Sequence, residues 1–236
     1  MITDVVIVPG APLLLPEYQG RTAAAPGLLD ACVSAVRDAV ATAAHVVVVH
    51  ASDREPRSTR PALGSRVADH LLAETHVGFS VEHVAVPWDA TVAECVTTGR
   101  EVATRSGKAG AVGAVQGSVF APGGDATAPP TTVMVVADGS ARRTEKAPGH
   151  LDPRSHEVDE AIVDAIRSAP EGGLGRLLEL DVDLCADLLV AGRAPLQVLA
   201  AAVDAAGPAG ALDVTSCDVS DPFGVLYVVA HLTRTS

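Results

Sequence analysis

An apolar run from Thr132 to Ala137 stops at Asp138-Gly139, and Ser140, Arg142, Arg143, Lys146 and Arg154 follow it. The chain as a whole is acidic, with 17 Lys+Arg against 29 Asp+Glu. Cations concentrated just past a strand end on such a background mark a place where an anionic ligand would be held. The bidentate fork of arginine suits a carboxylate or phosphate. In open α/β sheets the ligand crevice lies beyond the carboxyl ends of the strands. Arg142, Arg143 and Lys146 are therefore expected binding residues, with Asp138, Gly139 and Ser140 at the turn. The competing expectation is intramolecular pairing with the nearby acids Glu145, Asp138, Asp152 or Glu157.

Two other groups carry candidate chemistry. His50 ends a β-branched run, His45-Val46-Val47-Val48-Val49-His50, so it stands where a strand delivers side chains into the crevice. It reads either as a ligand-binding histidine or as a hydrogen-bonded structural one. Asp53, three residues on, is placed to accept from it or to cap the loop. Glu17, in the long loop after the first strand, is a candidate crevice carboxylate, and Gly10 opens that loop. His150 and His156 with Asp152 and Asp159 match no standard ligand spacing, and a solvated helix start is the simpler reading. Ala121-Pro122-Gly123-Gly124 lacks the Gly-Lys-Ser/Thr of a phosphate-binding loop. No Gly-x-Ser-x-Gly or Cys/His arrangement supplies a nucleophile.

The elements that position these residues alternate. Strands are expected at Val5 to Val8, His45 to His50, Val81 to Val86, Ala111 to Val115 and Thr132 to Ala137. Two more, Ala211 to Val219 and Gly224 to Leu232, are joined by the Asp221-Pro222 turn. Helical spacing follows Pro26 through Leu28, Leu29, Cys32, Val33, Val36 and Val40. Further helices are expected from Ser65 to Glu74, from Val92 to Arg105 (capped by Asp89 or Thr91) and from Ser155 to Ile166. Helical segments then run to Ala206, broken at Gly172-Gly173 and Gly192. This order predicts one α/β domain over 1–236, with a mostly parallel central sheet and helices on both faces.

Composition narrows the function classes. A net charge of −12 opposes nucleic acid, which needs a basic face, and opposes anionic membranes. No 18-residue apolar run is present, and Met1-Ile2-Thr3-Asp4 lacks a basic leader region, so a cytoplasmic protein is expected. The four cysteines are widely spaced and read as buried thiols.

The order of elements, and four stretches within it, resemble the class III extradiol ring-cleavage dioxygenases of the LigB-type superfamily. The stretches are Val8-Pro9-Gly10-Ala11-Pro12-Leu13-Leu14-Leu15-Pro16-Glu17, then Asp138-Gly139-Ser140-Ala141-Arg142-Arg143 with Lys146-Ala147-Pro148-Gly149, then Ala191-Gly192-Arg193-Ala194-Pro195, and Asp221-Pro222-Phe223-Gly224-Val225. The resemblance implies a LigB-like fold in which two histidines and a carboxylate hold Fe(II) beside a catecholate and O₂. A further histidine there moves protons. Residue by residue that machinery is largely replaced. Gly10 stands at the first histidine position and Arg143 at the proton-moving one, and Gly192 to Pro195 contains no carboxylate. His50 matches the second metal histidine.

Three expectations follow. The first is a protein that keeps the fold, has no resident cofactor, and binds a small anionic or aromatic molecule near Gly10, His50, Asp138 and Arg143 without ring cleavage. The second is an active dioxygenase on catechol-type substrates, holding Fe(II) through His50 with Glu17, Asp53 or Asp138. The third is a non-catalytic component or scaffold of a larger assembly, self-associating as a homo-oligomer through Ala/Val-rich helix faces.

Overall fold

The computed structural model describes residues 1–20, 25–55, 58–108, 129–207 and 211–234. Six strands, β1 (Ile2–Val8), β2 (His45–Ser52), β3 (Ser80–Pro87), β4 (Thr131–Val136), β5 (Leu212–Ser220) and β6 (Tyr227–Arg234), form one sheet in the order β3-β2-β4-β1-β6-β5. The pairs β3–β2, β2–β4 and β4–β1 are parallel, whereas β6 runs antiparallel to both β1 and β5. The expected strand at Ala111 to Val115 lies outside the described residues.

The inner strands are nearly continuous Val runs because both of their faces are covered. Val6, Val8, Val46, Val48, Met134 and Val136 point to one face, where they meet α1 (Pro26–Val40) and α2 (Leu63–Ala73). Ile7, Val47, Val49, Val133 and Val135 point to the other, covered by α3 (Val92–Lys108), α4 (Arg154–Arg167) and α6 (Arg193–Ala205); the short α5 (Val182–Asp187) joins this side. The period-2 alternation of a strand divides its side chains between two helical layers.

Local signals explain most boundaries. Thr91 Oγ1 accepts the Glu94 N–H while a Glu94 carboxylate oxygen accepts the Thr91 N–H, so Thr91 rather than Asp89 caps α3, as a reciprocal capping box. The helix expected from Ser155 starts one residue earlier, because the Ser155 hydroxyl is turned inward onto the Arg142 carbonyl.

Helix α6 is buried along Arg193 to Ala202, since α3 lies over it. The close approach depends on Gly99, where an added Cβ would stand 2.6 Å from both Ala201 Cβ and the Val198 carbonyl oxygen. Gly99→Leu is expected to destabilise by about 1–3 kcal/mol through overpacking, outweighing the gain of about 1 kcal/mol in helix propensity. Urea unfolding checks the sign, and a rise in midpoint would contradict the packing.

The loop after β1 leads to α1 on one face, and the segment after the adjacent β4 leads to α4 on the other. This divergence at neighbouring strand ends is a topological switch point, the usual place of a ligand crevice. It sits between Gly10 and Asp138.

Candidate functional site

The backbone of β1 continues past Val8 to Gly10, whose N–H donates to Asp138 Oδ1 at 2.9 Å across the β1–β4 divergence. A Cβ at Gly10 would come within 3.3 Å of Val136 Cγ1 and 3.5 Å of Asp138 Oδ2, so glycine keeps this end of the crevice open. Asp138 Oδ2 has no hydrogen-bond partner among the described residues. Asp138 retains some accessible surface, yet enough protein surrounds its carboxyl that burial pushes its pKa up to about 7, against the opposing effect of the Gly10 N–H.

Two more ionisable groups adjoin it. The Cys32 thiol and the Tyr227 phenol are each pushed up to about 12, first by burial and then by the charge of Asp138. Neither is an activated nucleophile. The site therefore offers one titratable carboxyl of near-neutral pKa among protonated neighbours.

His50, Val136 and Val8 share one row across β2, β4 and β1. His50 is 4% exposed, burial lowers its pKa, and its Nδ1 donates to the Ala51 carbonyl at 3.1 Å. The first turn of α2 covers it, since a Cβ at Gly64 would lie 2.9 Å from His50 Cβ. Its ring meets that of His83 edge-on at 5.8 Å, and His83 in turn contacts Asp69 at 3.0 Å and Ser65 at 3.3 Å. This is a neutral, packed imidazole forming a wall of the crevice.

Glu17 is half-exposed and clasped by Arg66, with Arg60 at 3.6 Å; Arg66 also lies over the Tyr18 ring at 5.6 Å. The Arg66 contact straps the first loop onto α2 and engages one oxygen of the Glu17 carboxylate. Asp53 is exposed. Sequence reasoning passed over Cys32, Gly64, Arg66 and Tyr227. Only Gly64, beside the start of α2, carried a local signal; the others need the fold to reach the site.

The basic loop is organised differently from the anion-capture expectation. Arg143 donates from Nη1 to Asp159 at 2.8 Å and from Nε to Asp221 at 2.9 Å. That corrects its expected role as a free anion fork, and its partners arrive from α4 and the β5–β6 turn rather than from the expected acids, of which Asp152 instead pairs with Arg154. Arg154 pairs with Asp152 at 2.7 Å and lies 3.6 Å from Asp187. Lys146 is exposed. Gly139 and Ser140 belong to a backbone knot: the Gly139 N–H donates to the Leu226 carbonyl, the Ser140 N–H to Asp159 Oδ1, and the Ser140 hydroxyl to the Leu188 carbonyl. They are architectural, turned away from the Asp138 carboxyl.

The described residues do not fit an iron site. They contain no group of three or more His, Cys, Asp or Glu side chains arranged to hold a metal ion. Glu17 is held by Arg66 and Arg60, and the combination of His50 with Glu17, Asp53 or Asp138 is not assembled among the described residues. His150 and His156 are both exposed and likewise gather no donor set. All four cysteines are free thiols.

No family model matches the chain, and no curated protein is significantly similar to it. Among the described residues no helix is long and apolar enough to cross a membrane.

Proposed function

We propose that the chain is a cytoplasmic LigB-type protein whose ring-cleaving iron site has been replaced, and that it binds a small hydroxylated ligand at the β1–β4 switch point without cleaving it. The observation that carries this reading is the Asp138 carboxyl. It is held by the Gly10 N–H, has a free Oδ2, and lies at the strand ends where open α/β sheets take their ligands. With Arg143 neutralised by Asp159 and Asp221, and Arg66 occupied by Glu17, this face supports uncharged hydroxyls better than an anion. Oδ2 accepts a ligand hydroxyl when ionised and donates to a ligand oxygen when protonated. Val136 supplies an apolar wall and the neutral His50 imidazole a polar one.

Catechol is the probe for this reading, followed through backbone amide NMR shifts. Saturable shifts are expected at Gly10, Gly64 and Asp138, with Asp138→Ala binding about tenfold more weakly, the effect of one lost hydrogen bond. Anaerobic Fe(II) loading followed by O₂ should give no ring-opened yellow product. Unmoved amides would overturn the site, and a ring-opened product would replace this reading with an active dioxygenase.

A further inference from the structure

The two outer strands of the sheet differ in how their free edges are protected. β5 has a register shift between Val214 and Ser216 and carries Asp213 and Asp218 along its length. A bulge and charges of one sign are usual defences of an exposed edge. β3 has neither. It pairs with β2 without a shift from Ser80 to Pro87, and Glu82 is its one carboxylate.

The direction of its backbone groups follows from its ends. The Ser80 N–H donates to the Ala44 carbonyl at 3.2 Å and the Trp88 N–H to the Ser52 carbonyl at 2.9 Å, both towards β2. Backbone groups alternate sides along a regular strand, so the even-numbered residues face β2, and Val81, His83 and Ala85 turn theirs outward. Among the described residues nothing meets the outward N–H and C=O groups of these three. Val81 is 42% exposed, and exposed apolar side chains flank the edge, Val77 before it at 37% and Trp88 after it at 50%. A regular row of open backbone groups between apolar side chains is a template for another strand.

We propose that β3 pairs antiparallel with β3 of a second copy of this chain, about a two-fold axis at His83, so that two sheets become one. An axis there sets Val81 opposite Ala85 of the other copy and His83 opposite its mate, and each such pair can exchange N–H and C=O groups. Glu82 then faces Val84. An axis at Glu82 would instead oppose two carboxylates, which is destabilising. An axis at Val84 would set Val81 against Pro87, which has no N–H to give. The axis at His83 also carries Trp88 to the level of Gly78 in the other copy, beside Val77 and the half-buried Phe79. Apolar groups left in water at the two ends of one edge thereby cover each other. A foreign strand would require no such match between the ends, and this self-complementarity favours a second copy.

Sedimentation equilibrium over a concentration series is expected to show a dimer. Trp88 is the single tryptophan of the chain, and its emission should shift to the blue as the dimer forms. Hydrogen exchange at the Val81, His83 and Ala85 amides should slow by about tenfold or more between dilute and concentrated protein. Ala85→Pro removes only an outward N–H, which edge strands tolerate, and Val81→Lys places a charge at an exposed edge position. Each change acts twice across the axis and should weaken the dimer by about tenfold or more, with circular dichroism unchanged. Val81→Lys carries the test if Ala85→Pro disturbs the fold. A monomer at every concentration overturns the proposal, as does a dimer that Val81→Lys leaves intact. Slow exchange at the three amides already in dilute monomer would mean that the chain covers its own edge, and also overturns it.

Discussion

Asp138→Asn is expected to leave stability near pH 4 unchanged and to raise it by roughly 2–4 kcal/mol at pH 8. The folded carboxyl titrates at about 7, well above the usual aspartate value of 3.8, chiefly because of burial. The folded protein therefore holds this proton more tightly than the unfolded chain does. Its contribution is fully present below about pH 4 and is lost as pH rises towards 7, because folding must then bury an ionised group or keep a proton that water would take. Three units correspond to about 4 kcal/mol, and the surface still accessible at Asp138 lowers the expected figure towards 2. Asparagine keeps an oxygen for the Gly10 N–H while removing the charge. Urea unfolding of both proteins from pH 4 to 8 should give curves that coincide in acid and diverge towards neutrality. Parallel curves would mean that Asp138 is hydrated and its carboxyl ordinary. Stability withheld by a buried carboxyl at physiological pH is what a binding residue, rather than a packing residue, is expected to show.

The second large effect lies at the centre of the basic loop. Asp159→Ala is expected to cost about 3–5 kcal/mol, because it strips the partner from a partly buried guanidinium and from the Ser140 N–H together. The Asp159 side chain is 1% exposed, so little water reaches the groups left behind. Asp221→Ala breaks the other half of the same fork, but that side chain is 47% exposed, and about 0–1 kcal/mol is expected. Arg143→Ala should fall between the two. It removes the charge and leaves the buried Asp159 carboxyl, whose pKa burial already raises, free to take up a proton. Thermal and urea unfolding of the three variants tests the order. If Asp159→Ala and Asp221→Ala were equally mild, the loop would not be anchored through α4, and Arg143 would be free for a ligand after all.

The fold class was legible because it rests on patterns that do not require knowing which residues touch. The Val runs at β2 and β4 meant strands covered on both faces, and the spacing of Cys32, Val36 and Val40 meant a helix with one buried stripe. The alternation of strands and helices implied a parallel sheet wrapped on two sides, and the six-stranded α/β sheet bears that out. Local chemistry also narrowed the start of α3 to a cap at Asp89 or Thr91, and the reciprocal Thr91–Glu94 hydrogen bonds selected Thr91. The order β3-β2-β4-β1-β6-β5 was beyond that reading, because strand order depends on long-range closure and on where β6 inserts.

The candidate site divides along the same line. Gly10 and Asp138 were legible as lying just past the ends of parallel strands, which is a local property; His50, expected to end its strand, lies two residues short of where β2 stops at Ser52. Which cations were available was decided only in three dimensions. Arg143 and Arg142 are adjacent in sequence and alike in chemistry, yet Arg143 meets Asp159, 16 residues away, and Asp221, 78 away, while Arg142 packs against Gly149 and acts on Asp152. The burial of His50 was likewise tertiary, because it depends on α2 laying Gly64 against the base of the side chain. A side chain's type and its place along a strand are set by the sequence; its charge partner and its solvation are set by the elements that fold against it.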